Sequence, residues 1–381
     1  MVGDDVAEEA RRGFKMKIDI LTLFPDMMKP FLSESIIGRA IDKKIADINY
    51  INIRDFSKDK HKKVDDYPFG GGEGLLMQAE PICDAFASIS GNPLKIYLSP
   101  KGRRVSQNII EFLSLQSHLA FLCGHYEGVD ERAIDKCIDL ELSIGDFVLT
   151  GGEIACCAII DSVVRLLDGT LSDNHADESF YKNLLEAPQY TRPREFNGLE
   201  APEVLLSGNH QEIAKWQEEK SIEATKQKRR DLIKPEKIGI MGGSFDPIHK
   251  SHIKIAEEAL KKLDRIIFIP LNKSANKTPV NSVEMRARWV MQAIADNPYF
   301  DIDMCEIMRG GITYAIDTIE YLQKKYPFAE FIYIIGDDEE KILHTWKDID
   351  KLKELVDFMV FERDEVSSTG IRENGRDDWR A

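Results

Sequence analysis

Three glycine-punctuated turns lie close together: Cys123-Gly124-His125-Tyr126-Glu127-Gly128, Ser143-Ile144-Gly145-Asp146 and Thr150-Gly151-Gly152-Glu153. Glycine lets backbone N–H and C=O groups approach a ligand with no side chain in the way. The first two turns close short apolar or alternating runs, Leu119 to Cys123 and Ile138 to Leu142. Strands ending in glycine-rich loops are where α/β proteins bind ligands. One such turn is an ordinary strand-to-helix connection. Three in one window, interleaved with Asp, Glu and Arg, point to a site. A further loop, Phe69-Gly70-Gly71-Gly72-Glu73-Gly74, lacks both the Lys-Ser/Thr of a P-loop and the dinucleotide G-x-G-x-x-G spacing. Alone it reads as a flexible turn. Far downstream, Gly242-Gly243-Ser244-Phe245 precedes His249 and His252. Helix N-termini favour phosphate, and two imidazoles on a first turn can clamp a triphosphate and stabilise a transferring phosphoryl group.

The elements that must position these turns form an α/β pattern of strands and helices. Lys17 to Phe24 predicts a strand that stops at Pro25 and Asp26, and Ser33 to Ile45 has helical periodicity. Ile51 to Ile53 reads as a short strand, and Ile96 to Ser99 as a buried strand ending at Pro100-Lys101-Gly102-Arg103. Glu153 to Asp168 predicts an amphipathic helix closed by Gly169. Asp161 and Arg165 lie four apart on it; on a solvated face such a pair is worth roughly a few tenths of a kcal/mol. Leu171 to Ser179 is polar and aperiodic, a loop, and a mostly helical segment follows it. Asp231 to Lys237 ends that segment, and a new strand starts at Ile238.

At 381 residues, 43% of them hydrophobic, the chain predicts two or three ordinary globular domains. No apolar run reaches the length of a membrane span, and the first residues lack an apolar signal core. Residues 1–15 read as a disordered extension ahead of a fold that starts at Met16. The six cysteines form no C-x-x-C pair, which argues for reduced thiols in a cytoplasm and against a disulfide framework or zinc site; no metal ligand set is predicted. The net charge of −15 requires any nucleic-acid contact to be local. Lys58 to Lys63, Lys101 to Arg104 and Lys226 to Arg230 are the basic clusters available, each also readable as a solvated face.

CGHYEGVDER followed by SIGDFVLTGGE resembles the bacterial tRNA (guanine-N1)-methyltransferase family, of the trefoil-knotted SPOUT class. The resemblance runs over residues 16 to 233. It implies that the three turns tie a knot and hold S-adenosylmethionine, through Gly124, Tyr126, Glu127, Ile144, Gly145, Phe147, Leu149, Gly151 and Gly152. Tyr97, Leu98, Ser99 and Pro100 resemble the family's LSPxG loop, which lines the same pocket. Phe69 to Leu75 resembles its FGGGxGM loop near the target guanine, with Leu75 in place of Met. YTRP at Tyr190 and LSGNH at Leu206 resemble its tRNA-binding C-terminal domain. Methylating guanine N1 requires a carboxylate to accept the ring proton and a cation to stabilise charge on O6. The resemblance places Arg165 at O6. The base position carries Glu178 where the family has Asp, so either Glu178 or the preceding Asp177 serves. His125 stands where many relatives have Arg. A homodimer is implied, with the cofactor pocket of one subunit facing the linker and helical domain of the other.

The stretch from Ile238 resembles the nucleotidyltransferases marked by an H-x-G-H motif, and among them bacterial nicotinate-mononucleotide adenylyltransferase. Besides Gly242, Gly243, Ser244, Phe245, His249 and His252, the matches are Lys277, Thr313, Tyr314, Gly336, Asp338, Trp346, Ser368, Thr369 and Arg372. They imply attack of a mononucleotide phosphate on the α-phosphorus of ATP, with Mg²⁺ and release of pyrophosphate. Ser251 replaces the Gly of the motif, and the segment between Phe361 and Ser367 is shortened. Two readings therefore stand for this domain: an active adenylyltransferase, or a non-catalytic nucleotide-binding or structural module. The expected organisation is an extension over 1–15, a knotted methyltransferase domain over 16–170, a linker over 171–182, a helical tRNA-binding domain over 183–233, and a shortened Rossmann-like domain over 237–381. The expected partners are tRNA, ATP, nicotinate mononucleotide and a second copy of the chain, with no membrane.

Overall fold

The computed structural model describes residues 15–171, 178–273 and 279–362. The predicted extension falls almost wholly outside them, as do Asp177, Lys277, Ser368, Thr369 and Arg372. Two five-stranded parallel sheets organise the chain.

The first sheet contains β1 (Met16–Thr22), β2 (Ala46–Asn52), β5 (Leu94–Arg104), β6 (His118–Cys123) and β7 (Leu140–Ser143), in the order β2-β1-β6-β5-β7. The short β3 (Asp65–Asp66) and β4 (Leu76–Met77) pair apart from it. β6 is buried at every position, as a central parallel strand must be. β2 is longer than Ile51–Ile53 because its alternate polar residues, Asp47 and Asn49, suit an edge strand. Ile53 itself opens a 3₁₀ turn, capped by the Asn52 side chain.

Helices cover both faces: α1 (Pro25–Leu32), α2 (Ser35–Asp42), α3 (Ala79–Ala87), α4 (Gln107–Ser114), α5 (Glu131–Cys137) and α6 (Glu153–Val164). α1 was not foreseen. Pro25 stops β1 as expected, but it also sits in the first helical turn, where its missing N–H costs nothing. α6 ends four residues before Asp168 and presents Ile154, Ala158 and Asp161 outward.

A polar hairpin follows, β8 (Glu195–Phe196) and β9 (Leu199–Glu200), and then α7 (His210–Lys228), capped by the Asn209 side chain. Trp216 on α7 packs near Tyr190, with ring centroids 6.3 Å apart.

The second sheet contains β10 (Glu236–Gly243), β11 (Arg265–Pro270), β12 (Phe300–Ile302), β13 (Ala329–Gly336) and β14 (Asp357–Phe361). Its order, β12-β11-β10-β13-β14, has a switch point between β10 and β13. Its helices are α8 (Lys250–Leu260), α9 (Val283–Ile294), α10 (Cys305–Arg309), α11 (Ala315–Lys325), α12 (Asp337–Ile342) and α13 (Ile349–Leu355).

The sheets share an apolar cluster. Phe112 and Leu113 of α4 belong to the same core as Met291 and Ile294 of α9 and Phe300 of β12. α4 is accordingly buried almost all round, Asn108 and Glu111 included. The six cysteines are free thiols, and no described helix is long and apolar enough to cross a membrane.

Candidate active sites

β6, β5 and β7 are neighbours and parallel, so the turns that leave their carboxyl ends meet at one edge. Gly152 N–H donates to the Gly124 carbonyl at 2.9 Å, and His125 bridges to Gly151. A Cβ on Gly152 would lie 2.9 Å from Cys123 Cα, and one on Gly124 would lie 2.9 Å from the Tyr97 ring. Neither position has room for a side chain. Gly145 has φ of +158, and its N–H donates to Ser143 Oγ at 3.2 Å. β5 slips register against β7 between Leu98 and Arg103, which makes Ser99 to Gly102 a long bulge within the strand, beside the other turns. Burial pushes the Tyr97 hydroxyl up to about 12, helped by Glu141, so it stays protonated.

The edge is tied from outside. Thr22 Oγ donates to Glu153 Oε1 at 2.8 Å in a buried contact, so the end of β1 fixes the start of α6. Glu127 N–H donates to the Leu75 carbonyl at 3.0 Å, and the Glu127 side chain lies against Gly74. The Phe69–Gly74 loop thus closes over the first turn, with Phe69 almost fully exposed. Arg54 donates to the Tyr126 hydroxyl at 3.4 Å. Neither the Thr22–Glu153 contact nor Arg54 was signalled by sequence spacing. His125 Nδ1 is buried with no hydrogen-bond partner among the described residues, a polar atom left over in the middle of the cluster. Phe147 and Tyr126 stay exposed beside it.

Arg165 does not stand at this edge of its own chain. It caps the far end of α6, about 20 Å along the helix from Gly152 at 1.5 Å per residue. Its side chain ignores Asp161. Nη2 donates instead to both carboxylate oxygens of Glu178, at 2.6 and 2.7 Å. Both side chains are partly exposed.

At the second sheet, Gly242 and Gly243 end β10, and the Ser244–Pro247 turn leads to His249 at the N-cap of α8. The His249 and His252 rings lie close, 3.8 Å between centroids and tilted by 36°, and His249 N–H donates to His252 Nδ1 at 3.2 Å. Phe245, at φ of +46, packs edge-on against His252. Across the switch point, Gly336 ends β13 and N-caps α12, where Asp338 lies. A Cβ on Gly242 would lie 2.6 Å from the Tyr333 hydroxyl, and Tyr333 packs edge-on against Trp346. The Gly310–Tyr314 loop crosses to the β11 side: Asn272 Nδ2 donates to the Gly311 carbonyl at 3.0 Å. Two residues secure this edge without having been singled out as binding groups. Asp246 accepts from the Asn281 side chain at 2.7 Å, and the buried Arg286 donates to the Ser244 carbonyl at 2.6 Å. Among the described residues no group of three or more His, Cys, Asp or Glu is placed to hold a metal.

Comparison with known proteins matches these two edges to two families. The family model for tRNA (guanine-1)-methyltransferase TrmD matches residues 16–235, and a cytidylyltransferase-like model matches residues 240–374. The tRNA (guanine-N(1)-)-methyltransferase of Ruminiclostridium cellulolyticum is 53% identical over 223 residues, 57% of this chain and 96% of that protein. Its counterpart in Clostridium botulinum is 54% identical over 227 residues, 58% of this chain and 94% of that protein. That of Caldanaerobacter subterraneus is 55% identical over 223 residues, 58% of this chain and 92% of that protein. With the whole first sheet and the segment through α7 inside that match, the chain belongs to the tRNA (guanine-1)-methyltransferase family and continues into a cytidylyltransferase-like nucleotidyltransferase domain.

Proposed function

We propose that the chain methylates N1 of the guanine just 3′ of the anticodon, position 37, in cytoplasmic tRNA, and that Glu178 and Arg165 carry the chemistry. The carrying observation is their ion pair. Along its Watson–Crick edge guanine offers an N1–H donor beside an O6 acceptor. A carboxylate beside a guanidinium is the complement of that edge. On binding, the base replaces the internal pair: Glu178 takes the N1 proton, and Arg165 donates to O6 as charge develops there.

S-adenosylmethionine, implied by the family, supplies the methyl electrophile. The loop edge fits such a ligand: glycine backbone with no room for side chains, the leftover His125 Nδ1, and exposed aromatic groups. Tyr97 to Pro100, Gly124, Tyr126, Ile144, Gly145, Phe147, Leu149, Gly151 and Gly152 would hold it, with Glu127 near the sulfonium.

The separation of about 20 Å along α6 means that one chain cannot bring Arg165 to its own cofactor loops. A twofold dimer can, because each copy then lends its pair to the other's loops. Met27 and Phe31 of α1 and Ile154 of α6 are exposed and apolar, as a face between copies requires. The helical segment over 183–233, with Lys226 to Arg230, is the proposed tRNA contact.

The test is methyl transfer from labelled S-adenosylmethionine to tRNA by wild type, Glu178→Gln and Asp177→Asn. Loss with Glu178→Gln alone supports the assignment. Loss with Asp177→Asn alone moves the base by one residue. No transfer by wild type on any tRNA overturns the reading.

For the second domain we propose nicotinate-mononucleotide adenylyl transfer. The paired histidines at the N-terminus of α8, beside the switch point, support it. Trp346 is the platform for the pyridine ring, and Mg²⁺ would arrive with the ATP phosphates. Pyrophosphate release that depends on both ATP and the mononucleotide tests it. ATP binding without release leaves a non-catalytic module.

A further inference from the structure

We propose that the nucleotidyltransferase-like domain braces the cofactor loop of the methyltransferase, with Arg103 as the positioning residue that connects them. This rests on the reading of Tyr97 to Pro100 as part of the S-adenosylmethionine pocket. Arg103 follows that loop directly, and its backbone pairs with Leu142 where β5 rejoins β7. Its guanidinium leaves the methyltransferase altogether. Nη1 donates to the Ile294 carbonyl at 2.9 Å, Nη2 donates to the Phe300 carbonyl, and Asp301 lies 3.7 Å away. Only 11% of the side chain is exposed. A buried guanidinium tolerates few geometries, so these partners fix where the side chain and the strand beneath it sit.

The loop has little slack to absorb a shift. Leu98 at one end pairs with Cys123 and Leu142. Gly102 backs so closely on the Leu142 backbone that no Cβ fits between them. Val105 N–H donates to the Ser143 carbonyl at 2.8 Å at the other end. A displacement of Arg103 therefore passes to Ser99 and Pro100 on one side and to the Ser143–Gly145 turn on the other.

The rest of the domain contact makes the brace rigid. Arg288 of α9 reaches the other way, donating to Gln116 Oε1 at 2.7 Å and to the Asn92 carbonyl at 2.8 Å. Glu284 accepts from Ser117 N–H and Oγ at 2.9 and 2.7 Å. Lys325 sits between Asp303 and Glu111 of α4, at 2.9 and 3.4 Å, with all three side chains buried. Arg103 alone in this set grows from the segment that carries the cofactor loop. Loss of a contact that merely held the interface would weaken folding, and with it every ligand equally. A positioning contact lowers affinity for one ligand selectively.

The experiment uses full-length protein and measures S-adenosylmethionine binding by calorimetry, tRNA binding by filter retention, and thermal melting. The variants are Arg103→Ala, Arg103→Lys and Arg288→Ala. Arg103→Ala should raise the S-adenosylmethionine Kd about tenfold with tRNA Kd unchanged. Arg103→Lys should fall between, since one ammonium cannot replace a fork that spans two carbonyls. It also carries the test if the alanine variant does not fold. Arg288→Ala should shift the cofactor Kd less than about twofold. Wild-type affinity in both Arg103 variants overturns the brace. So does an equal loss in Arg288→Ala, which would mean general loosening. If wild type binds no S-adenosylmethionine, the pocket reading itself falls and takes the brace with it.

Discussion

The two ligand edges are built from the same parts, parallel strands that end in glycine turns, yet they are completed differently. At the second sheet one short local turn, Gly242 to His252, supplies both glycines and both imidazoles. Its partner loops come from the adjacent β13 of the same sheet. At the first sheet the glycine loops assemble in one chain, but the Arg165–Glu178 pair proposed to react stands at the far end of α6. On the functions proposed above, the second edge draws its described groups from one chain, whereas the first needs another copy. Residues close in sequence can be brought together by one fold, whereas a pair displaced by a whole helix from its partner loops would, on the proposed reading, tie activity to assembly.

The strongest way to break this comparison is to remove Arg165. Arg165→Ala should lower kcat for methyl transfer about 10²–10³-fold, measured in single turnovers with saturating cofactor. The same variant mixed and refolded with a Gly152→Val chain, itself unable to seat the cofactor, should regain roughly a quarter of wild-type activity. Half of the dimers are then mixed, and each mixed dimer has one intact site. No recovery on mixing would place both halves of the site in one chain. In contrast, His252→Ala should lower pyrophosphate release about 10²-fold and leave methyl transfer at the wild-type rate. Mixing it with a Gly242-damaged chain should restore nothing. Recovery there would contradict the self-contained second edge.

A smaller effect sharpens the first edge alone. Gly152→Ala forces a Cβ to within 2.9 Å of Cys123 Cα, and neither backbone can yield cheaply. Overpacking of this kind costs about 1–3 kcal/mol, so the melting temperature should fall by several degrees. Gly71→Ala, in the loop over the first turn, meets nothing within contact distance but holds φ of +82. It should cost less, through backbone strain alone.

What the sequence made legible follows the same division. The glycine turns, the strands that lead into them and the histidine pair are local patterns, and each stands where its spacing placed it. Arg165 is different. Periodicity offers Asp161, one helical turn back, as its partner, while the structure gives it Glu178, thirteen residues on. Only the family resemblance had named Arg165 and Glu178 for one reaction, and it did not say that they pair. α1 went unseen because proline reads equally as the end of a strand and the start of a helix. The domain contact had one quiet signal: Asn108 and Glu111 interrupt an otherwise apolar face of α4. Their partners, Asp301, Tyr326 and Lys325, lie far along the chain, where no window of periodicity reaches.

The weakest expected effect concerns a group that the second edge buries without using its charge. Glu306 is 1% exposed, and Thr318 Oγ donates to its Oε1 at 2.6 Å. Burial raises its carboxyl above the ordinary range; Thr313, Thr318 and Arg309 pull it down without cancelling that. A carboxyl raised in the folded state binds its proton more tightly there than in the unfolded chain. Its contribution to stability is thus fully present below the unfolded carboxyl range and is lost as pH rises through the raised folded value. Glu306→Gln keeps the acceptor for Thr318, can donate to Thr313 and carries no charge. The variant should therefore melt above wild type at pH 8, by a margin that shrinks toward pH 5. An equal margin at both pH values would show that the carboxylate is well solvated, and the second edge would then be as open as the first.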